Sequence, residues 1–498
     1  MKPVVSGSEF YQLGTALEPI TTSSDGHDAF HWIGEMNKAS AVMLVEQGIV
    51  PGPLGRQIAD AVVRVIEDGA APGTDRPGNY MKVEALLVAR GGADVTRVHS
   101  GRSRQDMVST SQRLFLRDRI LDALDSLGCL RVALLELAHR YREALVPAYT
   151  HNVQAQPTTF GHYLSAFLWA LQRNADRTRE AWARVNLSPL GAGALGTSSF
   201  PIDRPRLAQL LGFDGVLENS FDANHVSPLD MSVEVAGIAA SGALTAGALI
   251  GDILGQYRQT SPWIIVREGA LTGTSTMMPQ KRNPTVLLAA RHQASSVLAE
   301  AQGCLIVGHN IGTGLLEHRG NEIIGTVHAL AKLYVMLAAT AKGLVLDTLR
   351  AREEVEADYS TTTELADVLQ READVPFRVG HHYASELVNY GRSLGLRPAE
   401  VPFAEAVRIY AETAGSLGIA DPSLPLTEAR FRESLSADAM IAASRGLGGP
   451  QRGEVKRMLG ELGNRVQADQ SWLEERRRAL KEASANLDEA FGRLRQAH

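Results

Sequence analysis

Cysteine is almost missing from this chain. Cys129 and Cys304 are the only two in 498 residues, which excludes a disulfide scaffold and a cysteine-based zinc site. Excess positive charge is missing too: the formal net charge is −6, so there is no electrostatic footprint for DNA or RNA. No run reaches the ~20 apolar residues of a membrane span. The most apolar stretch, Val235 to Ile250, is flanked by Glu234 and Asp252 and reads as a tightly packed core helix. Met1 to Glu9 lacks the charged-then-apolar pattern of a secretion signal, so a reducing cytoplasm is the expected compartment. There is no repeat, no low-complexity segment, no phosphate-binding glycine loop and no His/Asp/Glu spacing of a metal site. The expectation is therefore no metal, no cofactor, no nucleic acid and no membrane.

What is present is helix. Apolar residues recur at three-to-four spacing over Met36–Val50, Gln112–Leu145, Phe160–Trp182, Ser232–Gln256, Pro284–Val307 and Ile323–Leu344. Helices this long need a partner along their full length, which predicts a bundle. Strand signals are few and short. Composition changes near Tyr359 and again through Gly395 to Pro402, and a charged helix is predicted over Asp469–Ala490. The predicted class is all-α, with a long-helix bundle and a C-terminal domain that begins near residue 359.

Three clusters carry chemistry. The first is a loop from Gly273 to Pro284, in which Ser275 is followed by Met277–Met278–Pro279–Gln280–Lys281–Arg282–Asn283–Pro284. It offers a serine as base, backbone N–H groups as oxyanion donors, and Lys281 with Asn283 to hold a carboxylate, the parts needed to remove a proton from carbon next to a carboxylate. A polar surface loop between helices is the plainer account, and the Met-Pro-x-Lys-x-Asn-Pro continuation argues against it. The second is His99–Ser100–Gly101–Arg102–Ser103–Arg104–Gln105–Asp106, donors gathered before a long helix and suited to a carboxylate or phosphate. A capped helix start with surface arginines would look the same. The third is Thr150–His151–Asn152 with Gln154–Ala155–Gln156–Pro157. A loop histidine beside hydroxyl and amide groups suits an acid near neutral pH, although a lone histidine is more often structural. His162, further on, reads as a packing residue.

In this order the three segments resemble the argininosuccinate lyase branch of the fumarase/aspartase superfamily. The likeness continues in Ser188–Pro189–Leu190–Gly191–Ala192–Gly193, Phe200–Pro201–Ile202–Asp203–Arg204, Asn219–Ser220–Phe221–Asp222–Ala223 and Thr363–Glu364–Leu365–Ala366–Asp367, and spans about residues 35–455. The resemblance implies three domains, 1–110 N-terminal, 111–358 a central long-helix bundle and 359–498 C-terminal, and a homotetramer whose long helices form one core of about 20 helices. It also implies active sites each built from three chains, and a cofactor-independent carbon–nitrogen lyase working by anti β-elimination. By position it makes Ser275 the base that takes a Cβ proton and His151 the acid that assists the leaving amine. Lys281, Asn283 and loop N–H groups stabilise the carbanion. Arg102, Ser103, Arg104, Gln105, Thr150, Asn152 and Gln156 bind the substrate, Arg104 as a bidentate clamp.

Three departures bear on the substrate. Gln105 replaces a customary Asn, and Leu288 stands where the family carries a Glu that orients the histidine. Gly308–Arg319 lacks the Tyr-Asn-x-Asp-Leu-Gln-x-Asp-Lys stretch that reads arginine; His309, Asn310, His318 and Arg319, with Asn152, suit a more acidic partner. The expected reaction is reversible elimination of an amine from an N-substituted aspartate to give fumarate, on an aminocarboxylic acid such as ethylenediamine-N,N'-disuccinate. The alternatives are argininosuccinate lyase proper and a catalytically silent structural homologue. Adenylosuccinate lyase is disfavoured by Gly101–Arg102–Ser103–Arg104.

Overall fold

The computed structural model describes residues 27–315 and 322–496. Helix α1, Ala29–Glu46, starts where the Asp28 carboxylate accepts from the His31 N–H at 2.9 Å, and it stops before Gly48, whose φ of 67° ends the turn. Helices α2 (Gly52–Ala70) and α3 (Tyr80–Gly91) pack against it. Next comes α4, Arg104–Arg140, 37 residues and so ~55 Å long. It begins eight residues before the periodic pattern because Ser103 and Asp106 form a capping box. It ends before Leu145, where Pro147 forbids a helix and the chain turns instead into β1 (Leu145–Thr150), antiparallel to β2 (Val153–Thr159).

The rest of the bundle follows the predicted spans closely: α5 (Phe160–Val185), α6 (Ser227–Gln256), α7 (Thr285–Val307) and α8 (Glu322–Gly343). Between α6 and α7 lie β3 (Ile264–Val266) and the small pair β4 (Gly273–Thr274) and β5 (Arg282–Asn283); β6 (Leu344–Leu346) closes on β3. Helices α4 to α8 run alternately up and down. At one end Arg113 of α4 donates to the carbonyls of Arg184 and Val185, where α5 finishes, and to the Ser227 hydroxyl, where α6 starts. At the other end Phe160, opening α5, meets Trp263 beyond α6, ring to ring at 6.5 Å. Close helix approach needs small residues: a Cβ on Gly242 of α6 would collide with the Tyr334 hydroxyl, which accepts from Asn174 Nδ2 at 2.8 Å. Helices α6 and α8 are apolar enough by length and composition to cross a membrane, and here both pack within the bundle.

The C-terminal unit, with α9 (Thr362–Ala373), α10 (Phe377–Ser393) and α11 (Phe403–Ser416), has its own core around Leu365, Tyr383, Leu387, Tyr410 and Phe431. The last helix does not belong to it. Helix α12, Arg452–Gln496, is 45 residues long and buries Leu459, Leu462 and Val466 against the bundle, then Leu473, Leu487 and Phe491 against the N-terminal helices. The division at 110/111 would cut α4, whose Met107 and Phe115 share one core with α1 to α3, and 359–498 contains a helix that returns across the whole molecule.

Candidate active site

The anion-binding segment is built by the start of α4. Ser103 caps the helix, its Oγ accepting from the Gln105 N–H at 3.2 Å, while Asp106 Oδ1 accepts from the Ser103 N–H at 2.9 Å. Asp106 Oδ2 turns the other way and accepts from the N–H groups of Gly191 and Gly193, both at 3.0 Å. Burial pushes this carboxyl up to about 6, and the hydrogen bonds from Ser103, Gly193 and Gly191, together with the Arg102 charge, pull against that rise. Sequence reading passed over Asp106 as a functional support, although its position three residues after Ser103 is the capping-box signal.

The two arginines divide. Arg104 is exposed and forms no ion pair within the described residues. Arg102 is buried, and its guanidinium donates to Asn37 Oδ1 and Ser40 Oγ at 3.0 Å, with the Tyr80 ring beneath it at 5.4 Å. Arg102, expected from sequence to bind a substrate carboxylate, here gives its Nη1 and Nη2 to α1 and fixes the loop that presents Ser103, Arg104 and Gln105. His99 stacks on Tyr80 at 4.5 Å. Burial, then the Arg102 charge, lowers its pKa to about 4. A cleft of about 780 Å³ opens beside these residues, with Ile33, Met81, Val108 and Phe115 on its walls.

The histidine lies on a hairpin tip. Thr150 pairs with Val153, so His151 and Asn152 are the two turn residues, with φ of 52° and 62°. Positive φ at both central positions is the type I′ geometry, which matches the twist of the flanking strands. Thr150, His151, Asn152 and Gln156 are all exposed. His162 is structural: its Nε2 faces the Gly448 carbonyl at 2.9 Å and so carries the proton, leaving Nδ1 to accept from Thr158 Oγ1 at 2.8 Å.

The serine loop is held at its base by the β4–β5 pair and by the Arg282–Glu268 ion pair at 3.0 Å. Ser275 Oγ accepts from the N–H groups of Met277 and Met278 at 3.3 and 3.0 Å. Lys281 is exposed; Asn283 Nδ2 is 3.5 Å from the Thr274 carbonyl. Leu288 lies in the second turn of α7, about half exposed. In the segment 308–315, Asn310 has φ 58°, and the Thr313 carbonyl meets His225 Nδ1 at 2.6 Å. Leu316, Glu317, His318 and Arg319 lie outside the described residues.

Within one chain the start of α4 stands apart from the hairpin and the serine loop. Ser103 to Gln105 open α4, whereas the hairpin follows its other end, ~55 Å away. The serine loop precedes α7, whose far end returns toward the start of α6, where a Cβ on Gly308 would strike Leu229. Among the described residues, no group of three or more His, Cys, Asp and Glu side chains is placed to hold a metal ion.

Known proteins carry the same pattern. Residues 59–299 match a family model described as lyase, and residues 359–442 one described as argininosuccinate lyase C-terminal. An argininosuccinate lyase of Methanococcus maripaludis is 31% identical, covering 90% of this chain and 92% of its own. One from Methanosarcina acetivorans is 32% identical, covering 92% and 90%. A double variant of EDDS lyase with bound fumarate has a TM-score of 0.89 at 26% identity, covering 99% of this chain and 97% of that one. EDDS lyase in complex with formate has a TM-score of 0.86 at 26% identity, covering 94% and 92%.

Proposed function

Because this chain belongs to the argininosuccinate lyase branch of the fumarase/aspartase superfamily, we propose that it eliminates an amine from an N-substituted aspartate, releasing fumarate. Ser275 takes the Cβ proton, and the electron pair is held by delocalisation into the adjacent carboxylate. The C–N bond then breaks, the double bond forms, and the amine leaves with a proton from His151. The observation that carries this reading is the state of the Ser275 hydroxyl. Two backbone N–H groups already donate to its oxygen at 3.3 and 3.0 Å, which favours the alkoxide over the alcohol. Lys281, in the same loop, adds positive charge.

Arg104 clamps a substrate carboxylate, with Ser103 and Gln105 beside it. The spread of the pieces along α4 supports a homotetramer in which other copies complete each site, and an exposed His151 suits a residue lent to a neighbour. Leu288 offers that histidine no carboxylate. The amine is not arginine in this reading, since Gly308–Arg319 lacks the Tyr-Asn-x-Asp-Leu-Gln-x-Asp-Lys stretch by which the family reads arginine. The sequence relatives favour the second reading, argininosuccinate itself, and the EDDS lyase neighbours favour an aminocarboxylic acid. The test is Ser275→Ala. Fumarate release, followed by ultraviolet absorbance over a panel of N-substituted aspartates, is expected to fall at least about 100-fold with the circular dichroism unchanged. Retained turnover would remove Ser275 as the base.

A further inference from the structure

Asp106 stands two residues after Arg104 and has none of its surface exposed. Another copy of the chain cannot reach it, so its contacts are settled within one chain. Its two oxygens serve two different segments. Oδ1 accepts from the Ser103 N–H at 2.9 Å and so fixes the backbone that enters Arg104. Oδ2 accepts from the N–H groups of Gly193 and of Gly191, 85 residues further on, both at 3.0 Å. Those glycines have φ of 82° at Gly191 and 64° at Gly193, which lets both N–H groups turn toward one oxygen. The glycine segment is itself anchored. Asn224 Nδ2 donates to the Gly193 carbonyl at 2.8 Å, and Ile202 seats so closely against Gly101 that a Cβ there would come within 2.6 Å of it. Asp106 is therefore the joint by which an anchored segment holds the loop that opens into Arg104.

We propose that Asp106 is the positioning residue of the carboxylate clamp: ionised, it holds Ser103, Arg104 and Gln105 in place for a dicarboxylate, and neutral, it lets their loop go. This rests on the reading of the protein as an N-substituted-aspartate lyase, in which fumarate is a product held by that clamp. A carboxylate accepts at both oxygens, whereas a carboxylic acid carries a proton on one and leaves the N–H facing it unpaired. The proton settles on Oδ1, where it orphans one N–H, because on Oδ2 it would orphan two. Ser103 is thus the side released. Burial pushes the carboxyl up from 3.8 to about 6, so the change falls in mild acid. The charged groups that face it are Arg102, from its own loop, and Arg204, from beyond the glycine segment. Arg102 is bonded to Asn37 and Ser40, and Arg204 to the Leu217 and Glu218 carbonyls, so both keep their places when Asp106 changes charge. Asp106→Asn imitates the neutral form at every pH, its amide oxygen taking the two glycine N–H groups and its amide nitrogen facing Ser103.

The experiment titrates full-length protein, wild type and Asp106→Asn, with fumarate by calorimetry at about pH 7.5 and about pH 5. The expected ratio of Kd, variant over wild type, is about tenfold at the higher pH and close to one at the lower. Taking the ratio cancels the titration of fumarate and of histidines, which both proteins share. A ratio that is the same at both pH values, or already close to one at the higher, overturns the inference and leaves the lyase reading standing. Wild-type protein that binds no fumarate at either pH removes the lyase reading, and the inference with it. Hydrogen exchange on the wild type depends on no variant folding. Corrected for intrinsic rate, protection of the Ser103 amide is expected to fall from the higher pH to the lower while the Gly193 amide keeps its own. Equal changes at the two amides overturn the inference as well.

Discussion

Arg102 and Arg104 stand two residues apart and meet opposite surroundings. One guanidinium is buried on Asn37 and Ser40, the other exposed at the cleft. Arg102→Ala should cost about 2–4 kcal/mol in urea unfolding, because it leaves buried acceptors without donors and empties a packed site. Arg104→Ala should leave stability within about 0.5 kcal/mol and lower kcat/KM about 10- to 100-fold. Equal stability losses in the two variants would contradict this division. Histidines supply a second test. His31, His99 and His328 are each drawn from 6.5 to about 4, chiefly by burial. The folded state keeps them neutral while the unfolded chain takes up protons below 6.5, so their contribution is complete above that pH and is lost as pH falls toward 4. Allowing for partial exposure, each is worth roughly 1–2 kcal/mol. Urea midpoints should drop over that window, and His99→Gln should flatten the slope.

At the scale of elements, the hairpin and the last helix decide what the bundle presents. Antiparallel pairing from Leu145↔Thr159 to Thr150↔Val153 leaves two residues for the turn, which places His151 at the tip. Helix α12 is fastened to α4 and α5 by Asp469, whose carboxylate accepts from Arg131 and Arg179, both at 2.7 Å. Arg131 is almost wholly buried, so Asp469→Ala strands a charge in the interior and should cost about 3–5 kcal/mol. Hydrogen exchange along α12 is the sharper readout: protection should fall in α12 before it falls in α6 or α8. Uniform loss throughout would mean the helix is not a separable element. The charged run over Asp469–Ala490 suggested a solvated face, and that was half of the matter; Leu473 and Leu487 on its other side are core.

At the scale of the molecule, the length of α4 is the governing quantity. Its 37 residues hold the proposed carboxylate-binding segment ~55 Å from the hairpin, so the proposed reaction would need a second copy to bring clamp and histidine together. Mixing Ser275→Ala protein with Arg104→Ala protein, after dissociation and reassembly, should therefore restore part of the activity that neither shows alone. Some mixed sites would then receive a good loop from one chain and a good clamp from another. Activity no greater than the sum of the two parents would mean that each site draws both groups from the same chain.

The sequence by itself determined the long helices, because a 3.6-residue apolar period over 20 or more residues has one stable outcome, burial along its length. It also determined the family and the three clusters, since Ser275, Lys281 and Asn283 sit within one loop, and Ser103 with Asp106 within one turn, at fixed covalent spacing. Tertiary structure alone decided which of two similar arginines faces the cleft, since that depends on Asn37 and Ser40, more than 60 residues away. It also decided that Asp28 is tied to Arg76 and that α12 crosses back to the N-terminal helices. Covalent spacing fixes what a residue can offer. The folded contacts of distant segments fix what it has left to offer a substrate.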